Sequence, residues 1–176
     1  MPMLNRRDLV EMYIGEGFEG NGVNASHINI MIGSRNGVVG QAFSSSLASP
    51  SQGHCPFMVV IKPNVPAKPM TLYVNKAEIN GELHGNATWG ASQAAIAKAV
   101  TEALLDGTLP PEAEDNWCIV TANWVNPGCN DIDEVYHNNY RACRQAIRAA
   151  MGKLPQRSQL ADALPQLGNP FYTPKA

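Results

Sequence analysis

Charge is scarce in this chain. Only 16% of its 176 residues are Asp, Glu, Lys or Arg, and 13 Lys and Arg against 15 Asp and Glu leave a formal charge of −2. With no basic run either, the electrostatic footprint of a general nucleic-acid binder is missing. No apolar stretch approaches the roughly 20 residues of a membrane span. Met1 to Val10 is polar around Arg6, Arg7 and Asp8, with no apolar segment behind them, so no secretory signal is expected. The four cysteines (Cys55, Cys118, Cys129 and Cys143) share no close spacing, which speaks against a disulfide framework or a zinc knuckle. These absences leave a cytoplasmic globular protein with reduced thiols. A chain of this length can bury about 70% of its unfolded surface without a staple.

What is present is periodicity. Ala25 to Ile32 alternates, with Ile28, Ile30 and Ile32 on one face and His27, Asn29 and Met31 on the other, which predicts a half-buried strand. Helical spacing follows from about Val38 to Ala48, then an apolar run from Phe57 to Lys62 bounded by prolines. Thr71 to Ile79 reads as a strand with Lys76 and Glu78 on one face, and Asn80-Gly81 as a hairpin turn. Ser92 to Asp106 is the clearest helix, stopped by Gly107. Trp117 to Val125 is a third long strand, and a second long helix begins at Asp131 or Asp133 with a stripe of Tyr136, Tyr140, Cys143, Ile147 and Met151. Strands interleaved with helices give an α+β sandwich, a mixed sheet with helices packed on one face. The expected division is an N-terminal extension over 1–14, one domain over 15–152 and an extended tail over 153–176.

Several motifs tempt and fail. Gly15, Gly17 and Gly20 match the dinucleotide spacing G-x-G-x-x-G, but two glutamates lie within it and a strand follows instead of a helix N-terminus. His54 and Cys55 are neighbours on an extended segment and point apart. His84 and His137 lie in polar surroundings and are expected at the surface. The histidines form no close cluster, so no metal site is expected. Trp89, Trp124 and Tyr136 suit a core or an interface equally. His27 has two readings: a solvated strand face, or an imidazole on a rigid element beside an orienting amide, able to exchange a proton near neutrality. Lys76 with Glu78 reads as a rim ion pair or as a second polar pair of a site.

The segment from Ala25 to Gly33 with Ser34-Arg35 resembles the formaldehyde-activating enzyme family of methylotrophs. So do Pro63-Asn64 with Lys68-Pro69, Asn75-Lys76, Gly90 to Gln93, Asp106 to Thr108, Tyr140 and Asn169 to Phe171. The likeness runs from about Glu16 to Met151 and returns at Asn169. It implies a fold similar to ribosomal protein S5 domain 2, a ring-like homopentamer and a pterin site between neighbouring subunits. The implied reaction condenses formaldehyde with tetrahydromethanopterin, a co-substrate, to the 5,10-methylene derivative and water, with no metal and no tightly bound cofactor. By the same resemblance His27 is the general acid, and Asn29, Met58, Lys76, Glu78 and Gln93 contact the pterin. Asn29 replaces the family's aspartate, Glu78 its threonine and Met58 its leucine. Those departures imply a paralogue with a rewritten pocket: a hydro-lyase, or a non-catalytic pterin- or formaldehyde-binding protein on the same scaffold.

Overall fold

A computed structural model describes residues 11–175. Of the N-terminal extension expected over 1–14, residues 1–10 lie outside the described part. The chain runs β1 (Met12–Glu19), a short 3-10 turn, β2 (Ser26–Ser34), α1 (Val38–Leu47), β3 (Phe57–Met58), β4 (Val60–Lys62), β5 (Val65–Pro66) and β6 (Met70–Asn75). It continues with α2 (Gly81–Gly85), α3 (Gln93–Leu105), α4 (Ala113–Asn116), β7 (Trp117–Val125), α5 (Ile132–Met151) and α6 (Arg157–Ala163). Five strands form one sheet in the order β1-β2-β7-β6-β3, and β4 pairs with β5 beside it. Every pair in the large sheet is antiparallel except β6 with β7. A parallel pair needs a crossover, and the helical run through α2 and α3 supplies it. The fold is α+β with a mixed sheet, as expected.

The two long helices, α3 and α5, cover one face of the sheet. Ile28, Ile30 and Ile32 of β2 are buried there with Ile96, Val100, Cys143 and Ile147. Each such side chain contributes about 1.5–3 kcal/mol of burial. The short α1 lies on the opposite face, over Leu72, Cys118, Val120 and Met31. It covers only that end. On the same face Ile14, at the sheet edge, is 57% exposed, and Asn29, toward the other end, is exposed.

Polar ties hold the elements in register. Ser92 Oγ donates to Asn139 of α5, and the Tyr73 hydroxyl of β6 meets Ser92 Oγ at 2.8 Å. Asn24, just before β2, accepts from the amides of Asn130 and Asp131, and its carbonyl accepts from Asn138. Asp131 caps α5 by accepting from the Glu134 amide at 2.9 Å. Asp131→Ala should cost about 1 kcal/mol, read as a lower urea midpoint at unchanged slope. An unchanged midpoint would show that the cap contributes nothing.

The structure departs from the sequence expectations at several places. Gly15 to Gly20, whose spacing imitates a nucleotide-binding loop, is mostly edge strand β1. Asn80-Gly81 makes no hairpin: Gly81 does take a left-handed φ of +77°, but it opens α2. The run from Phe57 to Lys62 divides between two sheets around buried Val59. His84 is 1% exposed, not at the surface; its Nδ1 accepts from the Asn80 amide and its Nε2 donates to the Val125 carbonyl. All four cysteines are free, with Cys55 alone among them exposed.

Candidate active site

The half-face that α1 leaves bare carries a row of polar side chains. Cross-strand register fixes them: Glu16 of β1 pairs with Asn29 of β2, and Asn29 with Ala122 of β7. His27 likewise stands between Phe18 and Trp124. Residues directly opposite on one sheet share a face, so all six project toward the same side. Lys76 extends the β6–β7 ladder by one step, its amide donating to the Asn123 carbonyl at 2.9 Å. Its side chain returns over β7, where Ala122 presents only a methyl group. There Nζ donates to Asn29 Oδ1 at 2.8 Å and stands 3.3 Å from His27 Nδ1. On the far side of the ring, His27 Nε2 lies 3.1 Å from Glu16 Oε1.

The imidazole is therefore flanked by an anion and a cation. His27 is held below the ordinary histidine pKa, first by partial burial and then by the Lys76 ammonium, while Glu16 pulls in the opposite direction. Lys76 is also lowered, by its own burial, again opposed by Glu16. A cleft of about 950 Å³ opens along His27, Lys76, Phe18 and Trp124, closed on one side by Asn169 to Phe171 of the tail. Asn169 Oδ1 accepts from the amides of Phe171 and Tyr172, which shapes that turn. A cleft with an aromatic wall and a few convergent polar groups suits a flat heteroaromatic ligand. A second cavity of about 720 Å³, beside the stacked pair Tyr13 and Trp117, holds none of the expected site residues.

Of the residues expected at the site, the structure brings His27, Asn29 and Lys76 within hydrogen-bond reach. The others stand apart. Met58 lies on the same sheet face beneath α1, near Phe43 and Cys118. Gln93 opens α3 on the opposite face, where its Oε1 accepts from the Val60 amide at 2.6 Å. Glu78 is exposed beyond the end of β6, its side chain against Gly53. Among the described residues no hydrogen bond or ion pair joins Glu78 to Lys76. The expected pairing of Lys76 with Glu78 is thus corrected: Asn29 and His27 meet the ammonium, because the chain turns away from the sheet after Lys76.

Glu16 and Phe18 are the site residues that sequence reasoning missed. The signal was the alternation of Met12, Ile14, Glu16 and Phe18 against Tyr13, Gly15 and Gly17, masked by the glycine spacing. Among the described residues no three His, Cys, Asp or Glu side chains converge to hold a metal ion, and no helix is long and apolar enough to cross a membrane.

Known proteins resemble this chain in sequence. A family model described as formaldehyde-activating enzyme matches residues 14–172. A 5,6,7,8-tetrahydromethanopterin hydro-lyase of Methanosarcina barkeri is 37% identical over 165 residues, 94% of this chain and 93% of that protein. A bifunctional enzyme Fae/Hps of the same organism is 37% identical over 142 residues, and one of Archaeoglobus fulgidus 34% over 146. The chain spans only 36% and 37% of those two longer proteins. On a match that covers nearly the whole chain and includes the strand bearing His27, this protein belongs to the formaldehyde-activating enzyme family.

Proposed function

We propose that this chain condenses formaldehyde with tetrahydromethanopterin, releasing water and the 5,10-methylene derivative. The observation that carries the reading is His27, set between Glu16 and Lys76 at the wall of an open cleft. A pterin amine attacks the aldehyde to give a carbinolamine, whose hydroxyl is a poor leaving group. His27 donates a proton to that oxygen as the C–O bond breaks, water departs, and the second pterin nitrogen closes on the iminium. Lys76 and Asn29 hold the pterin edge beside it. Kinship with a hydro-lyase at 37% identity over nearly all of both chains supports an enzyme over a non-catalytic binder. The reaction needs no metal and no tightly held cofactor, since acid catalysis alone answers the leaving-group problem.

The separation of Met58 and Gln93 from His27 supports a site completed by a neighbouring copy, in a homopentamer. Met58 and Gln93 would then meet the pterin bound at the next subunit. The apolar tail residues Leu160, Leu164 and Leu167, each more than half exposed, suit packing on that neighbour. A cytoplasmic location suits a folate-like co-substrate and free thiols.

The test follows methylene-pterin formation by absorbance with purified protein, against the spontaneous reaction. A rate above background supports the assignment, and a rate equal to it overturns it. The pH dependence has a defined sign. Acid catalysis needs the imidazolium, so kcat falls as pH rises through the His27 pKa, which lies below the ordinary value of about 6.5. Removing the ammonium in Lys76→Met raises that pKa and moves the falling limb to higher pH. A limb that stays in place in the pH profile of kcat would show that Lys76 does not govern His27.

A further inference from the structure

We propose that Glu16 is the positioning carboxylate of His27, holding its Nε2–H so that Nδ1, on the Lys76 side, is the nitrogen that hands its proton to the departing hydroxyl. This rests on the condensation reading above and deepens it. Three observations carry it. Glu16 Oε1 stands 3.1 Å from Nε2, a distance at which a carboxylate, which has only lone pairs to offer, accepts the ring N–H. The opposite nitrogen, Nδ1, faces Lys76 Nζ at 3.3 Å, where the neutral ring accepts from the ammonium as the Nε2–H tautomer requires. It is the nitrogen on the cleft side, since Lys76 lines the cleft while Glu16 does not. The register that pairs Glu16 with Asn29, and Phe18 with His27, places this carboxylate on a paired strand and not on a loop, so its position is fixed by the ladder.

The charged groups facing the ring are then accounted for element by element. β1 contributes Glu16, the segment after β6 contributes Lys76, β2 and β7 contribute the uncharged Asn29 and Trp124, and the tail contributes the uncharged Asn169. Two opposed charges act on one imidazole, and only the negative one favours the protonated form. Without it, burial and the ammonium act unopposed, and the imidazolium population near neutrality falls further. Fixing Nε2–H also sets the tautomer that remains after transfer: the proton leaves Nδ1 for the hydroxyl oxygen, the C–O bond breaks with both electrons on that oxygen, and Nδ1 is left with a lone pair. The N–H proton that the second pterin nitrogen loses as it closes on the iminium returns, through solvent, to Nδ1, so atoms and charge balance.

The experiment uses the intact chain with ¹⁵N-labelled histidine. In the natural protein, neutral His27 should be predominantly the Nε2–H tautomer. Glu16→Gln keeps the shape and removes the charge, so the His27 titration midpoint should fall. At pH 7 kcat should drop about 10-fold or more, because the lost imidazolium outweighs the gain from a stronger acid, while KM changes less than about threefold. Glu16→Asp, which retains the charge, should recover part of the midpoint and of kcat. A merely structural Glu16 would leave the midpoint where it was. An unmoved midpoint and unchanged kcat in Glu16→Gln overturn the proposal. If the natural protein shows no rate above background, the reaction assignment falls and proton delivery with it. The titration then still decides whether Glu16 holds His27, so the two failures are distinguishable.

Discussion

His27→Ala should return methylene formation to the uncatalysed rate, a loss of about 10²–10⁴-fold, with the fold intact. That range corresponds to about 2.7–5.4 kcal/mol of barrier, what one well-placed proton donor supplies. The effect is large because nothing else described in the cleft can replace it. Lys76 reaches the same place, but its ammonium is already held by Asn29 Oδ1 at 2.8 Å. Glu16, as a carboxylate, has no proton to give. Stability should change little, since the His27 side chain is 39% exposed and the core is built by Ile28 and Ile30 on the other face. Stopped-flow absorbance with equal protein concentrations, beside a thermal scan, separates the two quantities. A variant that keeps the natural rate would remove His27 from the chemistry.

Gly15→Val should destabilise the protein by about 3 kcal/mol or more, lowering the thermal midpoint by about 10 °C. Gly15 and Gly17 lie on the face of β1 that meets α5, opposite the helix's small residues Ala142, Ala146 and Ala150. A Cβ at residue 15 would overlap the Ala146 carbonyl oxygen and come within 2.8 Å of the Ala150 amide nitrogen; one at residue 17 would overlap the Ala142 carbonyl oxygen. These obstacles are backbone atoms, which no rotamer change can move aside. The strand would have to lift from the helix, carrying Glu16 and Phe18 with it. Gly90→Ala is the matched control, because a Cβ there meets nothing within 4 Å. Equal thermal midpoints for Gly15→Val and the natural protein would mean that the strand–helix contact carries no weight.

The glycines that imitate a nucleotide fingerprint are thus a packing device, and this explains what could and could not be read from the residues alone. β2, β7, α3 and α5 were legible because each is long enough for its period to show against its flanking turn residues. β1 was not, since two of its core-facing positions are glycine and hydrophobicity does not alternate where side chains are missing. Asn80-Gly81 announced a left-handed glycine correctly, but such a residue can precede a helix as readily as it closes a hairpin. His84 looked polar from its neighbours, and its burial follows from a carbonyl 41 residues away at Val125 that completes its hydrogen bonding. At the site, His27 and Asn29 were visible as the polar parity of one strand. Lys76 was visible by parity as a partner of Glu78, and its place at the site entered by resemblance. Glu16 could not be found without the β1–β2 register, because its link to His27 is a pairing across strands and not a spacing along one.

The pterin is expected over the bare half of the sheet, with its reacting nitrogens at His27. A crystal structure of the intact assembly with tetrahydromethanopterin bound tests it directly. The pterin ring should lie in the cleft beside Phe18 and Trp124, with room for one hydroxyl about 3 Å from His27 Nδ1. A pterin seated instead in the cavity beside Tyr13 and Trp117, remote from His27, would contradict it.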